Sequence, residues 1–257
     1  MSGEDVDVPA TKKAFVPLEN NPEVMTHLVR ELGLSPSLQF HDVYSLTEPS
    51  LLAFLPRPAL ALLLVFPVTE TYERNRVQED STRGPYTSKG NLDDEEGGIV
   101  WFKQTIRNAC GLIGLLHSVT NGAARDQIVP GSDLHKLLQQ AVPITDPDER
   151  AELLYNSKAL EAAHATAAAK GDTEAPEADA KVDLHFVAFV KDTKNGDLWE
   201  LDGRRKGPIN RGRLGPDEDV LSEKAQELGV RAFFKREEEA GNRESRFSVV
   251  MLGPSLE

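Results

Sequence analysis

A single cysteine, Cys110, stands in a chain of 257 residues, which excludes an internal disulfide and suits a reducing compartment, the cytoplasm with or without the nucleus. Long apolar runs are missing too. The longest, Ala59 to Val68, has the length of a buried strand and falls well short of the roughly 18 residues a membrane span needs. The stretch from Met1 to Ala10 carries acids where a secretory leader would place a basic and then an apolar region, so no signal peptide is expected. Positive charge is scarce. With 29 Lys and Arg against 42 Asp and Glu, the net charge is −13, which repels phosphate backbones and argues against nucleic-acid binding. Such a surface instead speeds encounter with a basic partner or a basic peptide tail. No His, Cys and Asp cluster stands at metal-ligand spacing, so neither a metal nor another cofactor is expected, and there is no internal repeat.

What is present is ordinary for a globular chain: 39% hydrophobic and 28% charged, enough for one large core or two small ones. Residues 1–11 are polar and expected to be disordered, and 12–254 read as one domain. Lys13 to Pro17 suggests a short strand. Asn21, Pro22 and Glu23 then supply a side-chain cap, a proline at the first helical position and an acid in the first turn. Val24, Leu28 and Leu32 form an apolar stripe, and Gly33 gives the stop. Strands are expected at Leu38–Tyr44, Ala59–Val68, Leu184–Val190, Leu198–Leu201 and Phe247–Leu252, the second covered on both faces. Helical stretches are expected at 51–55, after Cys110, at 134–138, at 150–155 and at 217–238, with a surface loop at 82–98. Residues 157–182 are rich in Ala, Glu, Asp and Lys, predicting a weak helix followed by a mobile segment. Strands alternate with helices, which predicts an α/β domain whose helices flank a central sheet.

A lone cysteine is most often a small buried hydrophobe. The setting of Cys110 argues otherwise, because it lies in QTIRNACG (Gln104–Gly111) at the head of an amphipathic helix carrying Leu112, Leu115, Leu116 and Val119. A thiol at a helix N-terminus feels the positive end of the macrodipole, which favours the thiolate. Gln104, six residues upstream, has a side-chain amide able to donate to a developing oxyanion together with the N–H of Cys110. A thiolate needs a partnered general base. Of the six histidines, His27 lies on an expected surface helix, His117 and His135 on helices without nearby partners, His41 at a strand start, and His164 in the mobile segment. His185 opens a central strand. If the Lys191–Asp197 turn joins it to an antiparallel neighbour ending in WELDG (Trp199–Gly203), Asp202 comes beside it to fix the imidazole tautomer.

These segments together resemble the ubiquitin C-terminal hydrolase family. QTIRNACG followed by IGLLH (Ile113–His117) resembles its active-site signature, and LHF (Leu184–Phe186) and LWELDGR (Leu198–Arg204) its histidine and aspartate motifs. PLENNP (Pro17–Pro22) is similar to the family's start, ALEAAH (Ala159–His164) to the opening of its mobile loop, and RFSVVM (Arg246–Met251) to its closing strand, so the likeness runs from about 13 to 252. The resemblance implies Cys110 as nucleophile, His185 as general base and then acid, Asp202 as the residue orienting His185, and Gln104 with the Cys110 N–H as oxyanion hole. It also implies a papain-like fold with a central antiparallel sheet, flanking helices and a knotted chain path. Residues 157–182 would be the loop crossing the active site, a size filter admitting small adducts and short peptides. The family's ubiquitin contacts would fall on Pro17, Leu18, Glu19, Asn20, Asn21 and Pro22, and on Glu244, Ser245, Arg246, Phe247, Ser248 and Val249. The expected partner is ubiquitin, or another ubiquitin-like modifier, bound by a monomer. A ubiquitin-binding module without catalysis is the competing reading, although every residue of the implied machinery is present. Leu112 departs from the family, which has a small hydroxyl residue there.

Overall fold

The computed structural model describes residues 13–88, 98–173, 178, 182–241 and 246–256. Its centre is the apolar run, now strand β2 (Ala61–Pro67), buried at every position. Because side chains alternate across a strand, Ala61, Leu63 and Val65 enter one core while Leu62, Leu64 and Phe66 enter a second. Around it lie β1 (Leu38–Asp42), β3 (Leu184–Lys191), β4 (Asp197–Leu201), β5 (Ile209–Arg213) and β6 (Ser248–Pro254), in the order β1-β6-β2-β3-β4-β5. Every pairing is antiparallel.

Helices cover both faces. On the first side are α1 (Pro22–Leu32), α4 (Cys110–Val119), α5 (Asp133–Ala141), α6 (Pro147–Asn156) and α7 (Lys158–Ala168). On the second are α3 (Glu70–Ser81), α8 (Glu223–Leu228) and α9 (Val230–Glu239). A short α2 (Pro49–Leu52) and a 3-10 helix (Gly122–Gln127) complete the described elements. Among the described residues no helix is long and apolar enough to cross a membrane.

The first helix runs as its caps dictate. The Asn21 side chain accepts from Glu23 and Val24, and Gly33 closes it at φ 113°. Other expectations are corrected. Lys13 to Pro17 forms an isolated bridge between Ala14 and Arg107, because no second strand is there to extend it. The helix expected at 217–238 is two helices. They break at Gly229, where an added Cβ would lie 3.0 Å from Phe189. Helix α3 and strand β5 were not expected at all. The helix expected at the start of 157–182 is α7, which buries Leu160, Ala163, His164 and Ala167 and packs on α1. The disorder expected at 1–11, most of the 82–98 loop, and most of the mobile stretch at 171–181 lie outside the described residues.

Helix α4 sets the position of everything that follows, and it packs closely on β2 and β3. A Cβ at Gly114 would sit 2.7 Å from Leu63 Cδ1 and 3.3 Å from Phe186 Cβ, so only glycine lets the helix come this near. Gly114→Val is therefore expected to destabilise the chain by about 2–3 kcal/mol through overpacking. The check is a lower urea midpoint at unchanged slope. A midpoint at or above that of the parent chain would show that the helix has room to withdraw.

Candidate active site

Cys110 is the first residue of α4 and the only one of the helix that is not buried. Asn108 adopts φ 58°, turning the chain sharply before it, and Ala109 occupies the N-cap without a side-chain bond. Helices α1, α3, α5, α6, α7 and α8 each receive a side-chain cap, whereas the first N–H groups of α4 are left without one. Those donors and the positive end of the helix dipole lie at the sulfur.

Strands β3 and β4 pair antiparallel through the expected turn, with Ala188 opposite Leu201. That register brings the start of β3 level with the residues just beyond β4. His185 Nε2 lies 2.8 Å from Asp202 Oδ1, both side chains nearly or wholly inaccessible. Cys110 is close enough to the ring to help raise it, and its sulfur lies 3.8 Å from Leu184 O. Burial alone would discharge this imidazole. The field and hydrogen bond of Asp202, with the effect of Cys110, outweigh it and raise the ring to about 9. Burial likewise opposes the Asp202 charge, yet His185, the Tyr72 hydroxyl and the Arg204 N–H hold the carboxyl well below its usual range.

Gln104 lies on the extended segment before α4, which has no strand to pair with. Its own N–H donates to Gly203 O at 2.9 Å. Glycine is required there, because a Cβ at 203 would meet Gln104 Cβ at 3.0 Å and Ile113 Cγ2 at 2.9 Å. The Gln104 amide nitrogen makes only a long contact, 3.4 Å, to Ile106 O. Side chains satisfy the rest of this segment: Phe102 N–H donates to His117 Nε2 at 2.9 Å, Asn121 bonds both backbone groups of Val100, and Arg150 donates to Trp101 O. Trp101 Nε1 in turn donates to Asp202 O at 3.0 Å.

Three histidines are therefore corrected. His117 is fully buried and joins α4 to the Gln104 segment through the Phe102 N–H. Burial keeps its ring neutral, lowered to about 4. His164 is a packed residue of α7, stacked on Phe15 and bonded to Val16 O at 2.8 Å. His135 also has a partner, the Gly131 N–H. The residue that sequence reasoning missed outright is Tyr72, whose hydroxyl donates to Asp202 Oδ2. Thr69 and the acids at 70 and 73 mark the start of its helix, but no local signal links it to a carboxylate 130 positions away.

The two expected binding segments lie on neighbouring grooves. Residues 19–22 line one of about 840 Å³, whose wall includes the carboxylates of Glu19, Glu23, Asp42 and Asp172 and the exposed Tyr44 and Phe54. Within 17–22, Leu18 is a core residue and Asn21 is spent on the helix cap. Phe247, Ser248 and Val249 line a second groove of about 700 Å³. Arg246 pairs with Asp183, while Glu244 and Ser245 lie outside the described residues. No group of three or more His, Cys, Asp or Glu among the described residues could hold a metal ion.

Comparison with known proteins identifies the family. A family model described as ubiquitin carboxyl-terminal hydrolase, family 1, matches residues 15–233. The chain is 36% identical to ubiquitin carboxyl-terminal hydrolase YUH1 of Saccharomyces cerevisiae over 263 aligned positions, covering 100% of both chains. It is 38% identical to ubiquitin carboxyl-terminal hydrolase 3 of Arabidopsis thaliana, covering 80% of this chain and 83% of the relative. In fold it is similar to the Trichinella spiralis UCH37 catalytic domain crystallised with ubiquitin vinyl methyl ester, with TM-score 0.68, 20% identity, and coverage of 95% and 97%.

His117→Phe removes the acceptor for the Phe102 N–H and should cost about 2–3 kcal/mol. Because the folded ring is lowered from 6.5 to about 4, the unfolded chain binds the extra proton first, so the parent loses stability as pH falls through this window. The variant lacks that loss. The stability gap between the two proteins should narrow as pH is lowered, as measured by denaturation at several pH values. A constant gap would mean the ring does not titrate in this way.

Proposed function

The chain belongs to the family 1 ubiquitin carboxyl-terminal hydrolases, and from that premise we propose that Cys110 is its nucleophile, His185 its general base and acid, and Asp202 the residue that orients His185. The protein is a cysteine-type hydrolase acting at the C-terminus of ubiquitin. The observation that carries the assignment is the alignment of a half-buried thiol at an uncapped helix start with a buried, carboxylate-bonded imidazole.

In the reaction, the Cys110 thiolate attacks the carbonyl carbon of the terminal residue of ubiquitin. A C–S bond forms and the carbonyl electron pair moves to oxygen, where the Cys110 N–H and the Gln104 amide donate to it. The long contact of that amide with Ile106 O is readily exchanged for a charged acceptor. As the intermediate collapses, the bond to the leaving group breaks and the His185 imidazolium gives up its proton to it. Water, deprotonated by His185, then attacks the thioester and releases Cys110. With the ring raised to about 9, the proton is in place at neutral pH.

The acidic groove beside Tyr44 and Phe54 suits a partner with a basic tail and an apolar patch, which supports ubiquitin as that partner. We assign to the 157–182 region a size filter that limits the leaving group to small adducts and short peptides. In support, Thr173 donates to Glu19 at 3.2 Å from its N–H and 2.9 Å from its hydroxyl. Asn21 donates to Asp172 at 3.1 Å, and Asn108, two residues before the nucleophile, donates to Ala178 O at 2.9 Å. A reactive thiol of this kind works in a reducing compartment, and we assign the protein to the cytoplasm, with the nucleus open to it, as a monomer.

Ubiquitin carrying a C-terminal electrophile is expected to give one ubiquitin-sized adduct by intact mass. Cys110→Ala should abolish both adduct and hydrolysis while ubiquitin binding persists, and residual hydrolysis by that variant would rule Cys110 out. Shortening the 157–182 region should reduce turnover of bulky adducts far more than of small ones. Equal effects on both would dispose of the size filter.

A further inference from the structure

Asp202 has two carboxylate oxygens, and His185 uses only one. Oδ1 accepts from His185 Nε2 at 2.8 Å and from the Arg204 N–H at 2.9 Å. Oδ2 accepts the hydroxyl of Tyr72, and the next donor is Arg205 Nε, 3.9 Å away and engaged with Glu200 at 3.0 Å. Two donors thus compete for Oδ2, a neutral phenol that holds it and a buried guanidinium just out of reach.

The phenol is fixed in place. The N–H of Tyr72 donates to Thr69 Oγ1 at 3.0 Å, and that hydroxyl lies 2.9 Å from a Glu237 oxygen on α9. The ring packs edge-on against Phe66 and near Phe233 and His185. Burial, with the adjacent Asp202 charge, holds the hydroxyl protonated far above neutrality, so it remains a donor throughout the working range.

We propose that Tyr72 is a positioning residue for hydrolysis: its hydroxyl holds Asp202 in the orientation that serves His185 and keeps the carboxylate from turning to Arg205. This rests on the reading of Cys110, His185 and Asp202 given above. The charged and titratable groups around the pair are Cys110 and the neutral His117 on α4, Tyr72 and Arg76 on α3, Glu200 on β4, and Arg204 and Arg205 beyond it. Glu79 and Asp80 act through Arg205. Without the phenol oxygen, Oδ2 is buried with no partner, and the nearest compensation is Arg205. A carboxylate drawn there loses its alignment on His185, and the guanidinium offsets its field at the ring. The imidazolium is then held less firmly.

The test is steady-state hydrolysis of ubiquitin bearing a C-terminal fluorogenic amide, as a function of pH, by the parent chain and by Tyr72→Phe. The substitution removes one oxygen and leaves the ring and its packing, so the variant should fold, as thermal unfolding would verify. Tyr72→Phe is expected to keep KM, lose about tenfold in kcat, and move the alkaline limb from about 9 to lower pH by about one unit. An unchanged kcat and limb would overturn the proposal. So would a lower kcat with an unmoved limb and a reduced Tm, which would make the phenol a packing group. Cys110→Ala, run alongside, separates the two readings: hydrolysis surviving in that variant defeats the assignment of the nucleophile whatever Tyr72→Phe does.

Discussion

Asp202 carries a negative charge at a position with no exposure to solvent, and the site is organised around that constraint. An unpaired carboxylate in such surroundings would simply take up a proton, because burial disfavours the charged form. It stays ionised because the ring of His185, the hydroxyl of Tyr72 and the N–H of Arg204 all donate to it. Each donor comes from a different part of the fold: β3, α3 and the turn after β4. Ionising one side chain therefore fixes three pieces of backbone relative to one another. The same charge keeps the histidine protonated, so the chemistry and the packing draw on one interaction.

Behind the carboxylate lies a shell of ion pairs. Arg205 and Arg211 are shared among Glu79, Asp80 and Glu200, with contacts from 2.6 to 3.6 Å. A buried pair of this kind is weak evidence of stability, since desolvation takes back much of its Coulombic gain. Its value here is directional. By saturating Arg205 with other acids, the network leaves Asp202 to the histidine. The segment carrying Gln104 is fixed differently, by side chains of α4 and α6 standing in for a missing strand. His117 and Asn121 lie seven and eleven residues after Cys110, on the same helix or just past its end. The element that presents the sulfur thus also holds the neighbouring amide, and a shift in α4 would move both together.

Much of this was legible in the sequence because its signals were local. Asn21, Pro22 and Gly33 specify a helix by capping chemistry, and β2 is legible because an unbroken apolar run of that length has to be covered on both faces. The His185–Asp202 contact followed from a hairpin, which ties register to turn length. The failures share a physical cause. Helix α3 is polar around its whole circumference, so its periodicity gives no stripe to read, yet it delivers Tyr72. Strand β5 reads INRGR, and its place at the sheet edge rests on pairing with β4 and on Arg211 meeting Glu79 and Glu200. The ring of His117 bonds to a backbone N–H, and a backbone partner leaves no trace in the pattern of residue types.

The groove and the reacting groups differ in kind, and that difference bears on how binding and turnover separate. Glu19, Glu23, Tyr44 and Phe54 reach the surface on loops and helix ends, where exposed charges mainly set the rate of encounter and exposed rings supply area to bury. Their positions tolerate movement. Cys110, His185, Asp202 and Tyr72 sit on helix starts, strand ends and a close helix–sheet contact, the last three bonded in series, and tolerate little. An acidic and partly apolar groove on one part of the surface, with a rigid, dry pair of groups on another, suits a basic partner that spreads over a broad face. Only a thin, extended terminus then reaches the sulfur, because the one residue of α4 that reaches solvent is the first.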